Sequence, residues 1–264
     1  MPNHKSLLVT ATLLLSLAGL AAWSITDSYF GNRFGTQDAR AYAMGGTGLF
    51  DDLRPFAIGV NPANLTLPNH RLGLAGNLFV NRNEDNRAVP LYNSFDNYID
   101  DAVYASNIHY TNAFAAAGYY AHRLDQFKVG IGAYHRPLLS FEGNYEEQIR
   151  NNRNTDNDGY PEMIAVNRIE NDGLLGQTGI VLGLGWNPRD FMDLNLGLEF
   201  DLLSGRTTSE KSIRWSQWAI DTAGAGVLPD YLATEETDLD GSRFKAGAAL
   251  RISRKFGLAA TFST

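Results

Sequence analysis

The sequence predicts an all-β fold, an antiparallel transmembrane β-barrel, on three observations. Apolar residues recur every second position from Arg71 onward, tight polar turns alternate with long polar stretches, and aromatics sit at strand ends. Composition permits the fold without demanding it. Mean hydropathy is slightly negative, as expected when a lipid face and a polar lumen alternate along each strand. A soluble β protein would average to the same value.

The period is clearest at Met192, Leu194, Leu196, Leu198, Phe200 and Leu202, interleaved with Asp193, Asn195, Gly197, Glu199 and Asp201. A helix would scatter these leucines around its circumference, whereas a strand places them on one face. Ile180, Leu182, Leu184 and Trp186 behave likewise, as do Phe244, Ala246, Ala248, Leu250 and Ile252, and earlier Leu72, Leu74, Leu78 and Val80. Ala113 to Arg123 and Phe127 to His135 form a further pair, with Val129, Ile131 and Ala133 on one face.

Leu124 to Gln126, Asn187 to Phe191 and Ser253 to Lys255 read as tight hairpin turns. Residues 81–111, 136–175 and 203–241 read as long polar loops. Short turns at one end and long loops at the other are the asymmetry of outer-membrane barrels. Phe127, Trp186 and Phe256 lie beside the short turns, with the parity of their strands' apolar faces, where an interfacial aromatic girdle belongs. Ordinary core aromatics near hairpin ends are the alternative.

The polar faces carry a candidate charge ladder. Pairing Asp201 with Arg243 places Glu199 opposite Lys245 and Asp193 opposite Arg251, because each pair of numbers has the same sum, the rule for antiparallel neighbours. Facing lipid, such charges would cost roughly 2–4 kcal/mol for a basic residue at mid-depth. Facing a hydrated lumen they would pair, with a coupling of about 0.2–1 kcal/mol each. A solvated face of a soluble sheet is the alternative.

At the N-terminus, Lys5 precedes an apolar run from Leu7 to Ala22, followed by small residues. That order reads as a secretory signal peptide, residues 1–22, with an uncleaved anchor as the alternative. Its removal takes away Lys5 and leaves the chain one unit more acidic than its formal charge of -7. The acidic balance argues against a nucleic-acid partner. No later stretch offers about 18 consecutive apolar residues for a helical span.

Between this segment and the first strand the texture changes. Arg40, Ala41, Tyr42, Ala43, Met44, Gly45, Gly46, Thr47 and Gly48 are followed by Asn61, Pro62, Ala63, Asn64 and Leu65. Residues 36–66 thereby resemble the start of the FadL-type long-chain fatty-acid transporters and the related PorV-type outer-membrane barrels. The resemblance implies a 14-stranded barrel whose N-terminal segment, residues 23–66, folds inward as a plug ahead of a barrel from residue 67 to 264. Arg40, Met44, Gly45, Gly46, Asn61, Pro62 and Ala63 are carried over as structural plug or gating positions. The residues themselves agree, since consecutive glycines let a backbone pack tightly and Asn-Pro starts a turn. Seven strands are legible, and the last, Phe256 to Thr264, ends without a partner, so the reading favours the first half of such a barrel. An eight-stranded barrel completed by part of residues 25–66 is the alternative.

No catalytic constellation stands out, and the expectation is of a protein that is not an enzyme and uses no cofactor. With no cysteine, disulfides and cysteine-based zinc sites are excluded. His4, His70, His109, His122 and His135 lack metal-ligand spacing, and Gly183-Leu184-Gly185 lacks the third glycine of a dinucleotide loop. Asn154, Asp156 and Asp158, before Gly159, resemble the front of a calcium loop, but Ala165 stands where the bidentate glutamate belongs. Asp238, Asp240 and Gly241 are a weaker echo of the same arrangement.

The expected function is passive uptake of a hydrophobic small molecule, such as a long-chain fatty acid, across a bacterial outer membrane. Its partners would be outer-membrane lipids and that ligand. The alternative is a non-transporting barrel of the PorV type, with a secretion or surface-protein partner. If residues 1–22 are a signal peptide, N-terminal sequencing of protein from the outer membrane begins between Ala22 and Ile25; intact Met1 in that fraction contradicts export by cleavage.

Overall fold

A computed structural model describes residues 29–35, 38–46, 48–51, 54–92, 95–151, 162–189, 192–253 and 256–264. The residues read as a signal peptide and the candidate calcium ligands Asn154, Asp156 and Asp158 lie outside the described residues.

Strands dominate, because the alternating segments put β-branched, aromatic and leucine side chains on one pleated face. They are β1 (Asn32–Arg33), β2 (Leu72–Tyr92), β3 (Tyr98–Leu124), β4 (Phe127–Ser140), β5 (Gly143–Arg150), β6 (Met163–Arg189), β7 (Met192–Trp215), β8 (Tyr231–Ile252) and β9 (Phe256–Ser263). Two short helices, α1 (Ala39–Ala43) and α2 (Gln217–Ala223), and two 3-10 helices, Pro55–Gly59 and Pro62–Thr66, complete the described elements. Among the described residues no helix is long and apolar enough to cross a membrane.

All nine strands join one antiparallel sheet. From β2 to β9 it is an up-and-down meander in which each strand lies beside its neighbour in sequence, except β4 and β5. β4 and β5 run in line along β6, through Ser140↔Leu174 and Gly143↔Asn171, so they form one strand line broken at Phe141–Glu142. The meander therefore has seven strand lines. Near the break β4 parts from β3, and β1 pairs there through Asn32↔Ser140 and Arg33↔Leu139. The β3–β4 turn is the two-residue Asp125-Gln126, with Asp125 in the left-handed region at φ 53°. Aspartate tolerates that conformation better than most residues.

One expectation is overturned. Residues 81–111, 136–175 and 203–241 are not long loops; β2 to β8 run through most of them, and the connections contract to residues 93–97, 151–162 and 216–230. Polarity on both faces reports water on both sides of a hairpin, not the absence of one. Thr207, Thr208, Ser209 and Glu210 pair in register with Thr237, Glu236, Glu235 and Thr234, so the ladder satisfies their backbone groups without an apolar face.

The two faces differ sharply. One carries the apolar positions and is exposed: Leu74 is 75% and Leu78 79% accessible, with Ile180, Leu182, Leu196, Leu198, Phe200 and Leu202 exposed likewise. The other face is glycine, alanine and polar, and it is covered by the segment that precedes β2. Phe56, Ile58 and Leu65 of that segment pack on Ala115, Ala117, Tyr119, Ala121, Tyr134 and Val181. Ala63 and Leu67 pack on Ala249, with Phe50 and Ala259 alongside. Fully buried side chains such as Ile58 and Leu65 contribute about 1.5–3 kcal/mol each.

Residues 61–68 are all buried. A 3-10 helix turns every three residues, so successive side chains point in all directions. Strands β4, β6, β7 and β8 and the neighbouring Pro55–Gly59 helix all contact this segment, and Gly48 and Leu49 bond to it, so it is covered on several sides.

The polar hairpins give a direct check on the strand extension. Spin labels at Thr208 and Glu236, register partners in β7 and β8, should report a short and narrow distance distribution. A broad distribution would restore the long loop.

Candidate functional site

The site lies where the covered face meets the N-terminal segment. Its floor is the charge ladder. β7 and β8 pair Asp193 with Arg251, Glu199 with Lys245, and Asp201 with Arg243. Arg243 donates to Asp201 Oδ2 through both Nε at 3.0 Å and Nη2 at 2.9 Å, two charge-assisted bonds that converge on one oxygen. Lys245 Nζ lies 2.6 Å from Glu199 Oε1. Arg251 stands opposite Asp193, and its guanidinium also stacks over the Phe50 ring at 5.4 Å.

For Glu199–Lys245 and Asp201–Arg243, burial corrects the expectation that the pairs are hydrated; Asp193 and Arg251 are only partly buried. Glu199 is 1%, Asp201 0% and Lys245 6% accessible, because Pro55–Thr66 lies over them. Charges removed from water need partners of good geometry, and breaking such a pair costs about 3–5 kcal/mol, well above the value for a wet pair.

Two side chains from other strands complete the network. Tyr134 of β4 holds its phenol oxygen 2.7 Å from both Glu199 Oε1 and Asp201 Oδ1, and Gln177 Nε2 of β6 donates to it at 2.6 Å. The phenol has one proton, so it serves one carboxylate at a time. Gly179 leaves the room: a Cβ there would lie 2.4 Å from Asp201 Oδ1 and 2.5 Å from the Tyr134 ring.

Lys245 also joins the ladder to the covering segment, donating to the carbonyl of Gly59 at 2.7 Å. Further along, Asn61 caps the second 3-10 helix by accepting from the Ala63 amide at 3.1 Å, and donates to the Leu49 carbonyl at 2.8 Å. Pro62 follows at the first helical position, where its missing N–H is no loss. Asn64 donates to the carbonyls of Gly48 and Ala57 at 2.9 and 3.0 Å and accepts from the Asp51 amide. Arg54 bridges Asp38, at 3.2 Å, and Asp51. The segment's own asparagines thus satisfy backbone groups of Gly48, Leu49, Asp51, Ala57 and Ala63.

Glycine on the sheet makes room for it. Gly197 and Gly247 face each other across β7 and β8. A Cβ at Gly197 would lie 2.2 Å from the Pro62 backbone, and one at Gly247 would lie 2.0 Å from Asn61 Oδ1. The two glycines form a notch that receives Asn61-Pro62.

The sequence-derived positions therefore separate. Asn61, Pro62 and Ala63 sit against Gly197, Gly247 and Ala249, beside the ladder. Met44, Gly45 and Gly46 are exposed and lie apart; Arg40 is in α1. The expectation that Gly45 and Gly46 pack tightly is overturned: a Cβ on either would meet nothing within 4 Å. Their φ values of 74° and 81° end α1, with the Gly46 amide donating to the Ala41 carbonyl at 2.7 Å. Sequence reasoning missed Tyr134, Gln177, Asn64, Gly197 and Gly247 as members of the site. The recurrence of glycine at covered-face positions of β4, β6, β7, β8 and β9 was the available signal.

Among the described residues no group of three or more histidine, aspartate or glutamate side chains could hold a metal ion. Ala165, at the last position of the candidate calcium loop, is a fully buried strand residue of β6. His135 bonds Thr178 at 2.9 Å and stacks on Phe114, and His109 is buried on β3. Comparison of the chain with protein-family models, curated proteins and solved structures finds no match.

The network's weight can be measured. Lys245→Met leaves the Glu199 carboxylate buried without its cation and Gly59 without a donor, so equilibrium unfolding should show a loss of about 3–5 kcal/mol. The double variant Lys245→Met/Glu199→Gln should recover part of it. A loss below about 1 kcal/mol, the level of an exposed pair, would contradict the buried network.

Proposed function

We propose that the chain is an outer-membrane β-barrel protein for passive uptake of hydrophobic small molecules, such as long-chain fatty acids, with residues 23–66 as its plug. One observation carries the reading: an exposed apolar face backs directly onto a buried, charged face. In water that arrangement would be inverted, since large contiguous apolar patches are rare on soluble proteins. In a bilayer it is the required order.

The dimensions agree. Outward residues from Met192 to Leu202 cover about 34 Å of strand at about 3.4 Å per residue. At a tilt near 40° that is about 25 Å along the membrane normal, the height of an outer-membrane apolar band. Phe127 and Trp186 are register partners at the short-turn end, and Phe256 begins β9 opposite Ile252, as an aromatic girdle would have it. In hydrocarbon the edges of β2 and β9 must also be paired, because unsatisfied backbone groups are not tolerated there. The short-motif resemblance to the FadL type supplies the ligand class. A cleaved signal peptide supplies the route to the outer membrane.

In this reading the ladder holds the plug, with Lys245 joining wall to segment, and a ligand passes where the segment yields. A second reading, a non-transporting barrel serving secretion or surface assembly, is favoured by the hairpins: β6, β7 and β8 continue well past the apolar band with polar faces, a surface suited to a protein partner.

Uptake separates the two. Cells exporting the chain should accumulate labelled oleate faster than cells lacking it, and Lys245→Met should alter that rate. Equal rates with and without the chain, when it is located in the outer membrane, would favour the accessory reading.

A further inference from the structure

The segment that precedes β2 is not held evenly along its length. Residues 32–34 are tied to the wall. Asn32 and Arg33 pair with β4, the Phe34 amide donates to the Leu138 carbonyl at 3.3 Å, and the Phe34 ring meets Phe79 edge-on at 5.7 Å. Gly48 and Leu49 are tied through Asn64 and Asn61 to the 3-10 helices, which pack on the strands. Residues 38–46, with α1, lie between these fixed points. Tyr42 on this stretch is 74% accessible, and among the described residues α1 has no extensive contact with a strand.

Asp38 anchors the stretch. Its Oδ1 caps α1 by accepting from the Ala41 amide at 2.9 Å, and it pairs with Arg54 Nη1 at 3.2 Å. Arg54 has a second carboxylate, Asp51, whose amide is held by Asn64. The redundancy decides what release leaves behind. Arg54 and Asp51 stay together if α1 moves away, so no buried charge loses its partner. Breaking Lys245–Glu199, in contrast, leaves a buried carboxylate without its cation. Asp38–Arg54 is therefore the tie that can open. Pivots flank α1 on both sides: Gly35 and Gly45 have φ of 66° and 74°, and a Cβ on either would meet nothing within 4 Å. Positions of that kind absorb the backbone rotation that a moving element needs.

We propose that residues 38–46 form a flap, latched shut by Asp38–Arg54, that opens while residues 55–66 stay in place. The latch stands on its own geometry; that the flap is the part of the plug that yields to a ligand rests on the function proposed above.

The test is the distance between spin labels at Tyr42→Cys and Thr208→Cys in the full chain, which has no native cysteine. It is measured in detergent micelles, with amide exchange of residues 61–66 followed alongside. Asp38→Asn keeps the helix cap, because an asparagine oxygen also accepts the Ala41 amide, and removes the charge that Arg54 holds. It should broaden the distribution, raising the displaced population about five-fold, and leave exchange of residues 61–66 slow. High salt should broaden the wild type in the same direction and add little to Asp38→Asn. Arg206→Gln, at an exposed ion pair with Asp238 in the β7–β8 hairpin, should leave both readouts unchanged. A distribution in Asp38→Asn equal to that of the wild type, whether narrow or broad, overturns the latch. Fast exchange of residues 61–66 in Asp38→Asn overturns the flap as a part that moves separately. A broadened distribution with oleate uptake equal to that of the wild type retains the flap and loses its part in transport.

Discussion

The structure depends on one constraint: an irregular segment with polar backbone is buried against a sheet, and its amides and carbonyls need partners there. Buried amides and carbonyls without partners are expensive. Asn61 and Asn64 supply side-chain donors and acceptors where no strand partner exists, and Lys245 supplies the donor for Gly59. The sheet contributes absence, since Gly197 and Gly247 remove side chains where Asn61-Pro62 approaches. Substituting either notch glycine would force the segment outward or the strands apart.

The same burial explains the charges. A row of carboxylates and cations on a solvated strand face would be weakly coupled. Covered by Pro55–Thr66, Glu199, Asp201, Arg243 and Lys245 become one network with Tyr134 and Gln177. The apolar positions are then left for the opposite face, where they are exposed in a continuous band. The function proposed above, a wall with lipid outside and a held segment inside, rests on that pair of faces and not on any single residue.

Much of this was legible residue by residue. Strand parity is a local property, so Leu194 to Leu202 and their polar partners were assigned to faces from the alternation alone. The β7–β8 register followed from matching three charges of one sign with three of the other. Tyr134 and Gln177 were not legible, because their neighbours lie across two strand pairings that local sequence does not specify. Gly197 and Gly247 look like any strand glycines until the segment they admit is in place. The long hairpins were misread because Thr207 to Glu210 carry no apolar period, although the ladder that pairs them needs none. Gly45 and Gly46 were read as close-packing residues when their left-handed backbone, ending α1, is what they provide.

The most direct measurement of the central claim is amide hydrogen exchange of residues 61–66 in the wild type and in Gly247→Val. A valine at 247 places carbon where Asn61 Oδ1 sits. The account predicts slow exchange of these amides in the wild type and fast exchange in the variant, while the apolar-band amides of β6 and β7 stay protected. Rapid exchange of residues 61–66 already in the wild type would contradict it, because the segment would then not be held by the sheet.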